Sequence, residues 1–92
     1  MERLHLKVYG IVQGVFFRAN TQQIAAGLGL TGWVRNCPDG SVETVAEGNK
    51  EKLNAFLQWC RKGPEGAQID KVESTWEKAK NEFQTFRIKY WE

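Results

Sequence analysis

Histidine, cysteine and proline are scarce in this chain, which has one His, two Cys and two Pro among 92 residues. Cys37 and Cys60 stand far apart, belong to no CxxC pair and have only His5 to help them, so neither a zinc site nor a redox dithiol has its ligands. Two isolated thiols suit a reducing compartment, although spacing alone leaves open both a disulfide between them and the exposure of Cys37. A long hydrophobic run is also missing. Met1 to Gly10 alternates charged and apolar residues, so neither a secretory signal nor a membrane anchor is expected, and a cytoplasmic location is the default. Charge of one sign is lacking too: 13 Lys and Arg face 11 Asp and Glu, for a net charge of +2. The two signs are interleaved, which argues against a nucleic-acid footprint and makes any preference for anions a local matter.

Nucleotide-binding motifs are absent in substance. Gly27-Leu28-Gly29-Leu30-Thr31-Gly32 spells GxGxxG, but it lies between a helix and a strand, the reverse of the order a dinucleotide fingerprint needs. Gly10 to Gly14 has glycines too closely spaced for a P-loop, and no Gly-Lys-Ser/Thr follows.

What is present suits one domain over residues 1–92, with one core and no room for a second lobe or a large cofactor cradle. Hydrophobic residues at 41% and charged residues at 26% are ordinary for a globular chain, and four Trp predict a well-anchored core. Leu4, Leu6 and Val8 alternate with His5, Lys7 and Tyr9, which predicts a strand with one buried face. Phe17, Thr21, Ile24, Ala25 and Leu28 recur at helical spacing and stop at Gly29, a residue suited to a helix C-terminus. Leu30 to Asn36 and Ser41 to Glu47 form a hairpin around Cys37-Pro38-Asp39-Gly40. Asn49 can cap a second helix whose Leu53, Phe56, Leu57 and Cys60 make one stripe, ending before Gly63 and Pro64. Strands follow at Asp70 to Glu77 and around Phe86, Ile88 and Tyr90.

The order strand, helix, two strands, helix, strand and a further strand is the split βαβ pattern of a ferredoxin-like α+β sandwich. It predicts an antiparallel sheet with two helices on one face. Strands one and two are joined by a helix and must run parallel even with another strand between them, so their carboxyl ends share an edge. The turn from Gly10 to Arg18 and the residue Asn36 are thereby expected at one site.

That turn leads a strand into a helix through two glycines, a setting in which backbone N–H groups and the helix start attract an anion. Arg18 in the first helical turn opposes the helix dipole, which suggests that an anion compensates it. Spacing alone does not separate this from an ordinary turn with a solvated Arg. The string Gly10-Ile11-Val12-Gln13-Gly14-Val15-Phe16-Phe17-Arg18 resembles the phosphate-loop signature of acylphosphatases, and Gly32-Trp33-Val34-Arg35-Asn36-Cys37-Pro38-Asp39-Gly40-Ser41-Val42, with Gly48 beyond, is similar to the other signature of that family. The resemblance covers nearly the whole chain, only residues 62–84 being generic.

The resemblance implies hydrolysis of a carboxylic-phosphoric anhydride. Arg18 and the backbone amides of Gln13, Gly14, Val15, Phe16, Phe17 and Arg18 would bind the phosphate, and Asn36 would orient the water. No metal, cofactor or covalent intermediate is then required, the partner is a small acyl phosphate, and inorganic phosphate is expected to inhibit as product. Neither Arg18 nor Asn36 accepts a proton near neutral pH, so the substrate's own phosphate is the expected base. His5, early in the first strand, is expected on the surface and not in the site. A monomer is the default, since no long coiled-coil pattern is present. No role is assigned to Trp91 or Glu92.

Two rivals remain. One is a non-catalytic ferredoxin-like binding module, either a phosphate sensor or an RNA-recognition domain, the latter needing exposed stacking aromatics for which Trp33 and Tyr9 are the candidates. Acylphosphatase-like domains also stand at the front of maturation proteins handling carbamoyl phosphate, but the zinc-finger cysteines of such proteins are missing here, which favours a stand-alone enzyme.

Overall fold

The computed structural model describes residues 1–90, and Trp91 and Glu92 lie outside the described residues. The chain runs β1 (Glu2–Ile11), α1 (Phe17–Gly27), β2 (Thr31–Asn36), β3 (Val42–Gly48), α2 (Lys50–Lys62), β4 (Gln68–Lys78) and β5 (Phe86–Lys89). The strands form one sheet in the order β4-β1-β3-β2-β5. This is the expected α+β ferredoxin-like arrangement with an added strand. The sheet is mixed instead of wholly antiparallel, because β5 pairs parallel to β2 whereas the other neighbours are antiparallel.

The period-two pattern of β1 puts Leu4, Leu6 and Val8 wholly inside, against Phe17 and Ala25 of α1 and Leu53, Phe56, Leu57 and Cys60 of α2. Asn49 caps α2 as expected, its side chain accepting a hydrogen bond from the Lys52 amide at 2.9 Å. The tryptophans depart from expectation: Trp33 and Trp59 are only half-buried and Trp76 is exposed, so phenylalanines and aliphatic residues fill the core. Trp59 borders the core, its ring 5.6 Å from that of Phe17. Both cysteines are free and both are buried, and burial pushes the Cys60 thiol well up from its ordinary range.

The parallel β5 is made possible at the sheet end farthest from the carboxyl end of β1. Residues 79–85 carry the chain from β4 at one edge to β5 at the other. Four strand spacings amount to roughly 19 Å, within reach of an extended stretch of about seven residues. The anchor of this crossover is Glu47, whose side chain is only 4% exposed. Its carboxylate accepts hydrogen bonds from the Lys80 and Asn81 amides at 2.8 and 3.1 Å and from Arg3 Nε at 2.9 Å. Arg3 also pairs with Glu82 and lies 5.2 Å from the centre of the Phe83 ring. Burial by itself would raise the Glu47 carboxyl, but the Lys80 amide, the Arg3 guanidinium and the Asn81 amide together hold it below the usual carboxylate range.

A carboxyl group lowered on folding contributes stability above its unfolded pKa and loses it as pH falls through the folded value. Glu47 should therefore add to stability at neutral pH and stop doing so in acid. Glu47→Ala is expected to cost about 3 kcal/mol at pH 7, because it leaves Arg3 and two amides without their buried partner. The loss should shrink below pH 4, and urea denaturation of both proteins at pH 7 and pH 3.5 checks it; an equal loss at the two pH values would refute the account.

Candidate active site

Because β3 is antiparallel to both β1 and β2, those two strands run parallel, and β5 follows the direction of β2. The carboxyl ends of β1, β2 and β5 therefore share one edge. There Val12, Gly14, Phe16, Phe17, Arg18 and Ala19 from the loop and start of α1, Asn36 from β2, and Ile88 and Tyr90 from the β5 end line a cavity of about 260 Å3. Arg18 and Asn36, eighteen residues apart in sequence, are thus brought together. Gln13 and Val15 do not line this cavity: Gln13 points its side chain at the hairpin, and Val15 packs against the core.

The local sequence explains the loop's path. Gly10 has φ 134°, and a Cβ there would stand 2.0 Å from the Gln68 carbonyl oxygen, so only glycine fits at the bulge after Tyr9, where the pairing of β1 with β4 shifts register before continuing through Ile11. Gly14 has φ 76°, and Phe16, at the N-cap of α1, has φ 59° and ψ 26°. Two left-handed residues within three positions bend the chain sharply, and the second is not a glycine.

The start of α1 is electrostatically unusual for the same reason. No side chain caps it and no acidic residue lies in its first turn, whereas α2 has both Asn49 and Glu51. The positive end of the α1 dipole is therefore left to the cavity, and Arg18 adds a full charge. Arg18 pairs with no carboxylate among the described residues; its guanidinium lies 5.1 Å from the centre of the Tyr90 ring.

Asn36 sits on the helix-covered face of β2, in step with the buried Val34. Its Oδ1 is buried and accepts no hydrogen bond, the one such side-chain atom among the described residues. A buried acceptor left unpaired costs free energy, typically about 1–3 kcal/mol, and because Asn36 lines the cavity, a donor brought there by a ligand or water would relieve that cost.

The side chain of Gln13 fixes the loop relative to Asn36. Its Nε2 donates to the carbonyl oxygens of Cys37 and Ser41, both at 2.9 Å, on either side of the hairpin turn. That turn is further held by Cys37 N donating to Ser41 O at 2.8 Å and by Asp39, which accepts from the Ser41 amide and hydroxyl. Those two Ser41 bonds and the nearby Lys7 ammonium hold the Asp39 carboxyl at about 2, so it stays ionised and committed to the turn. His5 lies on the open face of the sheet with Nε2 on Glu43 Oε2 at 2.5 Å, away from the cavity. Trp33 and Tyr9 already have cations against their rings, Lys89 and Arg35 at Trp33 and Lys71 and Lys7 at Tyr9, in place of a base.

The acylphosphatase family pattern matches residues 4–88. The chain belongs to the acylphosphatase family. It is 54% identical over 87 residues to the acylphosphatase of Marinobacter nauticus, covering 95% of each chain. Among solved structures, the acylphosphatase from Bacillus subtilis superposes with a TM-score of 0.94 at 33% identity, covering 98% of this chain and 100% of that one. HypF from T. kodakarensis superposes with a TM-score of 0.84 at 34% identity, but the match spans only 12% of that longer chain. Among the described residues no helix is long and apolar enough to cross a membrane.

Two site features were not singled out in the sequence. Ile88 and Tyr90 reach the cavity only because β5 joins parallel, and the clasp from Gln13 depends on a carboxamide that the loop pattern reads as part of a backbone cradle. The clasp yields a direct test. Gln13→Ala should cost about 1 kcal/mol in stability and lower kcat/KM toward an acyl phosphate by about tenfold or more through misplacement of the loop. Gln13→Glu should be worse, since a carboxylate faces two carbonyl oxygens. Wild-type kinetics in both variants would contradict the positioning role.

Proposed function

We propose that this hydrolase of acyl phosphates divides its work between a positive cradle, made by Arg18 and the amides of residues 13–18, and a water held by Asn36. The observation that carries the reading is that Asn36, whose buried Oδ1 has no partner, lines the same cavity as Arg18. The uncapped start of α1 supports the cradle, because its free N–H groups and dipole favour the phosphate.

In this reading, Asn36 Oδ1 accepts one hydrogen bond from a water and turns an oxygen lone pair toward phosphorus. As the new P–O bond forms, the bond between phosphorus and the acyl oxygen breaks, and the carboxylate departs with the electron pair. The products are a carboxylate and inorganic phosphate. A carboxylate is a good leaving group, and phosphoryl transfer needs chiefly placement and charge stabilisation, which Arg18 and the amides supply. No imidazole or carboxylate lines the cavity among the described residues. The proton of the attacking water passes to a non-bridging phosphate oxygen, making the substrate its own base. The same chemistry requires no metal ion, and an enzyme of this kind acts in the cytoplasm.

The two side chains should separate kinetically. Asn36→Ala is expected to lower kcat by about 100-fold with competitive inhibition by inorganic phosphate retained. Arg18→Ala should weaken phosphate inhibition and kcat/KM together. Steady-state rates on benzoyl phosphate beside a phosphate monoester check the reaction class: the anhydride should be strongly preferred, and equal rates on both would point to another function. Chelation by EDTA should leave the rate unchanged; loss of activity restored by added divalent ions would refute the metal-free course.

A further inference from the structure

Two large aromatic rings stand in solvent beside the cavity, Phe16 at 81% exposure and Tyr90 at 70%. Both line the space that holds Arg18 and Asn36. The fold makes no use of the Phe16 ring, which neither joins the core nor caps α1, and its backbone occupies a left-handed conformation that phenylalanine adopts only at a cost. Exposed apolar groups gathered at a cavity mouth mark a contact surface for a ligand.

In-line displacement at phosphorus puts the entering water and the leaving group on opposite sides. With water held by Asn36, on the sheet, the acyl group points away from it, toward the part of the lining that is exposed. That is where Phe16 and Tyr90 stand. Beyond Tyr90 there is room, since Ile88 and Tyr90 also line a second, broader hollow of about 1000 Å3 that includes Trp33 and Phe83.

We infer that Phe16 and Tyr90 receive the acyl group, so that the enzyme favours acyl phosphates carrying an aromatic ring or a bulky apolar chain over those with a small acyl group. A planar acyl group laid against these rings excludes water from them and gains offset or edge-on ring contacts. The inference rests on the reading of the site given above, and its test keeps the two apart. Wild-type kcat/KM should favour benzoyl over acetyl phosphate by about tenfold or more. Phe16→Asn, which tolerates the left-handed backbone, and Tyr90→Ser should each reduce that ratio by about threefold or more, while Phe16→Trp and Tyr90→Phe should preserve it. The ratio is taken within one protein preparation, so partial unfolding cancels. If Phe16→Asn loses activity on both substrates, the ratio for Tyr90→Ser decides. An unchanged ratio in Tyr90→Ser overturns the inference, whereas failure of the wild type to hydrolyse either substrate overturns the proposed function instead.

Discussion

Among the described residues, the Gln13 carboxamide is the one side-chain donor that ties the loop after β1 to the hairpin after β2. Its two hydrogen bonds to Cys37 and Ser41 cross the gap between chain segments 24 and 28 residues apart. The relation between the two polar side chains of the site runs through that contact: Arg18 is placed by the loop, Asn36 by the strand entering the hairpin, and both line the cavity. Sheet pairing fixes which strand ends are neighbours, but it leaves the loop free to lean. Val12 and Val15 seat the loop against the core, and a short polar side chain bonded twice adds the directional tie to the hairpin that apolar contact lacks.

A second polar anchor operates at the other end of the sheet. Glu47 receives the crossover amides and Arg3, and thereby allows β5 to lie parallel to β2. Its effect on the site is remote yet physical, since β5 delivers Ile88 and Tyr90 to the cavity. Between these anchors the core is ordinary, with apolar strand residues under two amphipathic helices. The active edge is assembled from polar tethers on an apolar platform.

Much of this was legible in the sequence. The alternation of Leu4, Leu6 and Val8 and the stripe Leu53, Phe56, Leu57 and Cys60 gave the right buried faces, because burial is periodic wherever an element has one covered side. The shared edge of Arg18 and Asn36 followed from the helical connection between parallel strands. Three matters were not legible. The crossover that leads into β5 is held by Glu47, which reads like any charged strand residue until its long-range partners are seen. The tryptophans sit at the margins of the core because the space under the helices is filled by Phe17 and Phe56. The left-handed backbone of Phe16 is invisible to propensity, which would place glycine or asparagine there.

The sheet is open, with β4 and β5 at its two edges. Each edge offers unpaired backbone groups to any other strand in solution, a standing risk of fibrous association. The β4 edge answers with Lys71, Glu73, Glu77 and Lys78 in solvent and with an irregularity in its pairing near Asp70. The β5 edge is only four residues long and carries Arg87 and Lys89. Stacking another strand on either would strip water from several charges at once, so the same residues that decorate the open face keep the sheet from growing by addition of further chains.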